Sequence, residues 1–381
     1  MRRMCWGNPR FAISIFASMS VLLVIFMRLP KTEEFLQRTA RQPVRTDDWG
    51  RPTHEKAEFY AAGDVPKSHV DLTKKWYEIA SDAWGNFGPL EFWIVGHDVE
   101  AAKRLDDRYC RVRQDKDPNV DIDDCKSRSH NFESYATDGN AGLNTQRHEF
   151  SNWSGFIITM ASKNPGPEES DYKSVTLHEY FHVYQQAHVF SKKAAERESR
   201  NQKNPWWTEG GAEYMAQLLY SRQPGIPRDY LREKMKQKLR SLSELKQGET
   251  IRDIPYGRRG HIAYDLGAWF VAFVIGKSSE DAFLIDFYGD LNELDFEGSF
   301  EKSFGASSEE LLKEFHDRFL KLPEAKMLEI IPAQAIVKDS MVPVQWSSSI
   351  LDGNQPKGPQ IDQCRSNQTL WASHKFPSAC L

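Results

Sequence analysis

Apolar residues recur along this chain with two different periods, and the switches between them sketch the fold. Leu72, Trp76, Ile79, Ala80 and Ala83 fall three or four residues apart, the stripe of a helix over 70–84. Leu90 to Val95 is a short, largely apolar run ending at Gly96, and Gly155 to Met160 is another; both read as strands. Ala101 to Tyr109 reads as helical. Tyr172 to Val189 contains neither Gly nor Pro and follows the breaker Pro165-Gly166-Pro167. Ser170 or Asp171 can cap its start, and Val175, Leu177, Tyr180, Phe181 and Tyr184 give it packing surface. Beyond 213 the pattern is mostly helical. Leu231, Met235 and Leu239 recur every four residues within 228–242 and leave a basic face that reads as solvated. The stretch 261–275, with Trp269, Phe270 and Phe273, is apolar enough for a core helix. Residues 307–322 read as an amphipathic helix with Ser307 as cap and Glu310 in capping-box position.

The two ends follow another pattern. Arg2, Arg3 and Arg10 precede an apolar run from Phe11 to Met27 with no convincing cleavage site after it. The expectation is a cytoplasmic tail over 1–10, an uncleaved signal anchor over 11–27, a polar stalk over 28–66, a folded body over 67–322 and a loosely structured tail over 323–381. Positive charge before the run predicts a single-pass membrane protein with its body periplasmic or extracellular, a secreted form being the alternative. Cysteine usage fits that compartment. Cys5 precedes the run, and the other four fall into the local pairs Cys110 with Cys125 and Cys364 with Cys380.

Composition narrows the function classes. A net charge of -4 gives no reason to expect nucleic acid. The 11 tryptophans suit a substantial core and an aromatic-lined cleft. Between the first cysteine pair, Asp115 to Asp124 alternates oxygen-bearing side chains like a calcium loop. Val120 and Lys126 stand where an EF-hand needs Gly and Glu, so a solvated acidic loop is preferred to a Ca2+ site.

The chemistry sits in His178-Glu179-Tyr180-Phe181-His182. Two imidazoles four residues apart lie about 40° apart around a helix, so both reach one ion, while Glu179 projects about 100° from His178, beside the metal. That is where a base must sit to take a proton from the attacking water. Such sites usually have three protein ligands. Downstream, Trp206-Trp207-Thr208-Glu209-Gly210-Gly211-Ala212-Glu213-Tyr214 offers Glu209 as the third, if the segment starts a helix packed on the first. Glu213, one turn on, can accept from the far nitrogen of a ligand histidine. Gly210 and Gly211 are expected to keep side chains out of the space around the metal. The competing reading is a helix start whose acids merely suit the dipole.

H-E-Y-x-H followed by W-W-x-E-G-x-A-E-Y resembles the gluzincin metallopeptidases, over about 178–214. The second segment, and the 27 positions from His182 to Glu209, look most like the bacterial collagenase-type branch. The resemblance implies an α+β, two-lobed zincin-like fold, with a small sheet and active-site helix followed by a mainly helical lobe. It implies one Zn2+ on His178, His182 and Glu209, Glu179 as general base, and Glu213 as support. Gly155–Met160 would border the cleft and pair with extended substrate. Related enzymes draw an oxyanion donor from the second lobe, for which Tyr256, His261 and Tyr264 are the candidates. No third histidine follows in the metzincin register, and neither a G-x-S-x-G elbow nor a phosphate loop is present. The G-x-M-E-N segment of one aminopeptidase group is also missing upstream, so an endopeptidase acting on peptide or protein substrates is expected. An aminopeptidase, and an inactive binding protein on the same scaffold, stay open as alternatives. The oligomeric state is open too.

Overall fold

In the computed structural model, which describes residues 47–332 apart from 167, 168, 170 and 203, a four-stranded sheet meets a mainly helical body. The elements in the first half are β1 (Glu58–Ala61), α1 (Lys67–Trp84), β2 (Leu90–Val95), α2 (Val99–Lys116), α3 (Ile122–Ser127), α4 (Phe132–Asp138), β3 (Ala141–Gln146) and β4 (Gly155–Ala161). The second half holds α5 (Tyr172–Ala187), α6 (Ala194–Asn201), α7 (Pro205–Ser221), α8 (Tyr230–Lys238), α9 (Gly260–Lys277), α10 (Tyr288–Phe304) and α11 (Ser308–Asp317).

The strand order is β1-β2-β4-β3, with β3 antiparallel to β4 and the other pairs parallel. Every residue of β2 is buried, because helices cover both faces. Leu90 and Phe92 point with Phe156, Ile158 and Met160 into the main core, where α1 and α5 pack. Trp93, Val95 and Ile157 point the other way, onto α2 and α4. The alternation sends Glu91 to that second face, fully buried. It survives there because Arg113 and Lys116 of α2 both bond it.

Three sequence expectations change. The strand Gly155–Met160 lies inside the sheet, hydrogen-bonded to β2 on one side and β3 on the other, so it has no edge to offer. The outer strands of the sheet are β1 and β3, and it is β3 that packs along α5. The stalk assigned to 28–66 is at least partly folded: β1 pairs with β2, and Trp49 is buried with its indole N–H donating to the Val189 carbonyl at 3.1 Å. The tail assigned from 323 begins packed, since Met327 and Ile331 are buried in the main core.

The membrane placement is corrected as well. Among the described residues no helix is long and apolar enough to cross a membrane. The 11–27 run on which that expectation rested lies outside the described residues, as do Cys5, Cys364 and Cys380. Cys110 and Cys125 form the expected disulfide. In the acidic loop between them, Asp121 accepts from the backbone N–H groups of Asp123 and Asp124 and caps α3, while Asp117 receives Asn119, Ser151 and Asn152. These carboxylates are spent on local hydrogen bonds.

Candidate metal centre and active site

Two helices build the centre and a third closes it. Asp171 caps α5 by accepting from Lys173 N–H, and 14 of the helix's 16 residues are buried. Such a helix is fixed on all sides. α7 opens with Pro205 and then Trp206 and Trp207, both buried. Trp207 sits edge-on among Phe283, Phe287, Phe296 and Phe300, so these tryptophans anchor the start of α7 instead of lining a cleft. Two residues on from that anchor stands Glu209.

His178 Nε2, His182 Nε2 and Glu209 Oε2 converge. The imidazole nitrogens are 3.0 Å apart, and they stand 3.2 and 3.1 Å from the carboxylate oxygen. A tetrahedral ion with bonds of 2.0–2.1 Å needs donors about 3.3 Å apart, so this set fits zinc chemically and in size. The three donors form a candidate metal cluster. A fourth group, Glu179, adjoins them with its Oε2 buried and without a hydrogen-bond partner. Burial raises its carboxyl above the usual range, against the pull of His182 and His178.

Each histidine has a support on its other nitrogen. His178 Nδ1 meets Glu213 Oε2 at 3.3 Å, as the spacing predicts. His182 Nδ1 meets Gln185 Oε1 at 2.7 Å, and Gln185 is itself held by the Thr208 carbonyl at 2.9 Å. Such contacts favour the tautomer that would present Nε2 to an ion. Burial opposes charge on His178, but Glu209, Glu213 and Glu179 outweigh it and raise the group to about 10. Burial likewise opposes ionisation of Glu209, yet His182 and His178 hold it well below its ordinary value.

The three candidate oxyanion donors separate. Tyr256 donates to Glu209 Oε1 at 2.8 Å although much of its ring is exposed. The Tyr264 ring lies parallel to that of His178 at 6.2 Å, and its phenol is raised by burial and by Glu209. His261 is held instead by Glu244, 3.0 Å away. Gly210 does not clear space for a metal. A Cβ there would stand 2.4 Å from the Gly267 backbone, so the missing side chain lets α7 and α9 cross and brings Tyr264 up to the centre.

Three further residues carry weight that sequence reasoning missed. Gln185 is one, and its spacing of three from His182 was a usable signal. Tyr135 of α4 is raised by burial and by Glu179, and its hydroxyl lies against β3, 3.3 Å from where a Gly142 Cβ would be. Lys238 of α8, expected on a solvated basic face, is buried and pairs with Glu213 Oε1 at 2.8 Å.

Residues 171–256, which span both histidines, Glu179, Glu209, Glu213 and Tyr256, match the family model described as M61 glycyl aminopeptidase. No curated protein and no solved structure matches the chain. The match supports a metallopeptidase, and the branch it names is not the collagenase-type one.

Proposed function

We propose that this chain is a two-lobed, gluzincin-type zinc peptidase with His178, His182 and Glu209 as ligands. The observation that carries this reading is the convergence of those three donor atoms, 3.0–3.2 Å apart, beside the buried and unpartnered Glu179 Oε2. Zinc held there supplies Lewis acidity, polarising the scissile carbonyl and acidifying water near it. Glu179 takes the proton from the attacking water and returns it to the leaving amine, a task that suits a carboxyl whose affinity for protons burial has raised. Tyr256 and Tyr264, both bearing on Glu209, supply the phenol donors for the developing oxyanion. The free edge of β3, running beside α5, takes the substrate backbone as an added strand.

Internal cleavage is one reading of the specificity. The family match over 171–256 favours a second, removal of a small amino-terminal residue. Zinc-loaded protein tested on paired free and N-acetylated peptides separates them. Equal cleavage of both sets fits an endopeptidase, and loss on acetylation fits an aminopeptidase. No cleavage of either, with zinc bound, overturns the peptidase reading.

A further inference from the structure

The metal helix is tied to a buried cation through one carboxylate. Glu213 uses its two oxygens in opposite directions: Oε2 faces His178 Nδ1 at 3.3 Å, and Oε1 receives Lys238 Nζ at 2.8 Å and Gln217 Nε2 at 3.1 Å. Lys238 also bonds Asp265 Oδ1 of α9 at 3.0 Å, and Asp265 accepts from Ser241 through its other oxygen. His178, Glu213, Lys238 and Asp265 therefore link α5, α7, α8 and α9 in one chain of contacts. Its outer members are firmly held. Lys238 is the last residue of α8, Met235 beside it is fully buried, and the Met235 carbonyl receives the Trp269 indole.

This arrangement has a physical consequence. A lone carboxylate beside an imidazole can rotate, or lose its alignment to water. A carboxylate clamped by an ammonium from behind presents one oxygen in one direction. A buried ammonium would itself be costly unless paired, and Lys238 has two carboxylates to pair with.

We infer that Lys238 is a positioning residue for the metal centre: it clamps Glu213 so that the carboxylate fixes His178 with Nε2 toward the ion. This rests on the zinc reading above, and it concerns how tightly the ion is held. Loss of supports of this kind weakens metal binding about 10- to 100-fold.

The test measures zinc affinity by competition with a chromogenic chelator on the full chain, alongside the Co2+ absorption spectrum and the thermal midpoint of the metal-free protein. Lys238→Met lowers zinc affinity by about 10- to 100-fold, and Lys238→Arg recovers most of it. In the Glu213→Gln background the same Lys238→Met change costs less than about threefold, because the route through Glu213 is already broken. Asp265→Asn, which releases the far side of Lys238, serves if Lys238→Met fails to fold: it weakens zinc binding in the parent and not beside Glu213→Gln. Parent-like zinc affinity in Lys238→Met, or equal losses with and without Glu213→Gln, overturns the inference while leaving the zinc reading intact. A parent chain that binds no zinc overturns both.

Discussion

Among the described residues, one group of charges gathers behind the sheet and another between α5, α7, α8 and α9, and they differ in balance. Behind the sheet, the buried Glu91 and, at the exposed rim, Glu58 meet Arg113 and Lys116, charge for charge, and the Trp93 indole fills the remaining Glu91 oxygen at 2.8 Å. Around the histidines, Glu209 and Glu179 adjoin the imidazoles, Glu213 adjoins His178, and the one ammonium, Lys238, pairs with Glu213 and Asp265. Four negative charges against one positive leave room for a dication, which would reduce the surplus to one. The balanced cluster fastens α2 to the sheet. The unbalanced one is stable only with something added, protons on the imidazoles or a metal.

Substitutions can break that contrast. The largest effect belongs to Glu179→Gln, which retains zinc in a metal analysis but lowers kcat about 10²- to 10⁴-fold. A zinc-loaded variant that cleaves like the parent removes Glu179 from the base role. Next is Arg113→Met, which strands half of the Glu91 pairing. Denaturant unfolding loses about 3 kcal/mol, the low end for a broken buried pair because Lys116 remains, with zinc affinity unchanged. Gly210→Ala forces α7 off α9 and costs about 1–3 kcal/mol by the same measurement, with kcat falling as Tyr264 moves away.

The pH response sharpens the comparison further. Against burial, the neighbouring carboxylates raise His178 from an ordinary 6.5 to about 10 in the metal-free protein. A raised basic group stabilises the fold fully below its unfolded value, and that contribution fades as pH climbs toward the folded value. The metal-free thermal midpoint is therefore expected to fall between about pH 6.5 and 10. Zinc affinity should rise across the same window, as binding displaces the proton. A midpoint that rises instead would mean the imidazoles are not carrying the surplus charge. The smallest effect returns to Glu179→Gln. Burial makes its charged form unfavourable, so the metal-free variant should unfold at or slightly above the parent temperature at neutral pH.

The sequence disclosed what local spacing encodes. His178, Glu179 and His182 follow from helix geometry, β2 is the predicted run Leu90–Val95, and the Ser307–Glu310 capping box forms as written. β3 was hard to see because Ala-Gly-Leu-Asn-Thr-Gln alternates only weakly, with Leu143 its one large apolar residue and Thr145 its one β-branched residue; its pairing with β4 is a tertiary fact. The same gap misassigned the cleft edge to β4. Lys238 escaped notice because a lysine at the border of an apolar stripe looks alike whether water or a carboxylate waits beyond it. Gly210 was read against the metal when its partner, Gly267, lies far along the chain.

That glycine crossing also sets the mechanics of the centre. Tyr264 lies one turn from Gly267, about 4.5 Å along α9, whereas Lys277 lies about 15 Å away in the other direction. Were α9 to tilt by ~10° about the crossing, simple leverage on that rise would move the Tyr264 backbone by only about 0.8 Å and the Lys277 end by about 2.6 Å. The fulcrum thus sits beside the candidate centre, so such a tilt of α9 would be spent at its far end while the phenol stayed nearly still.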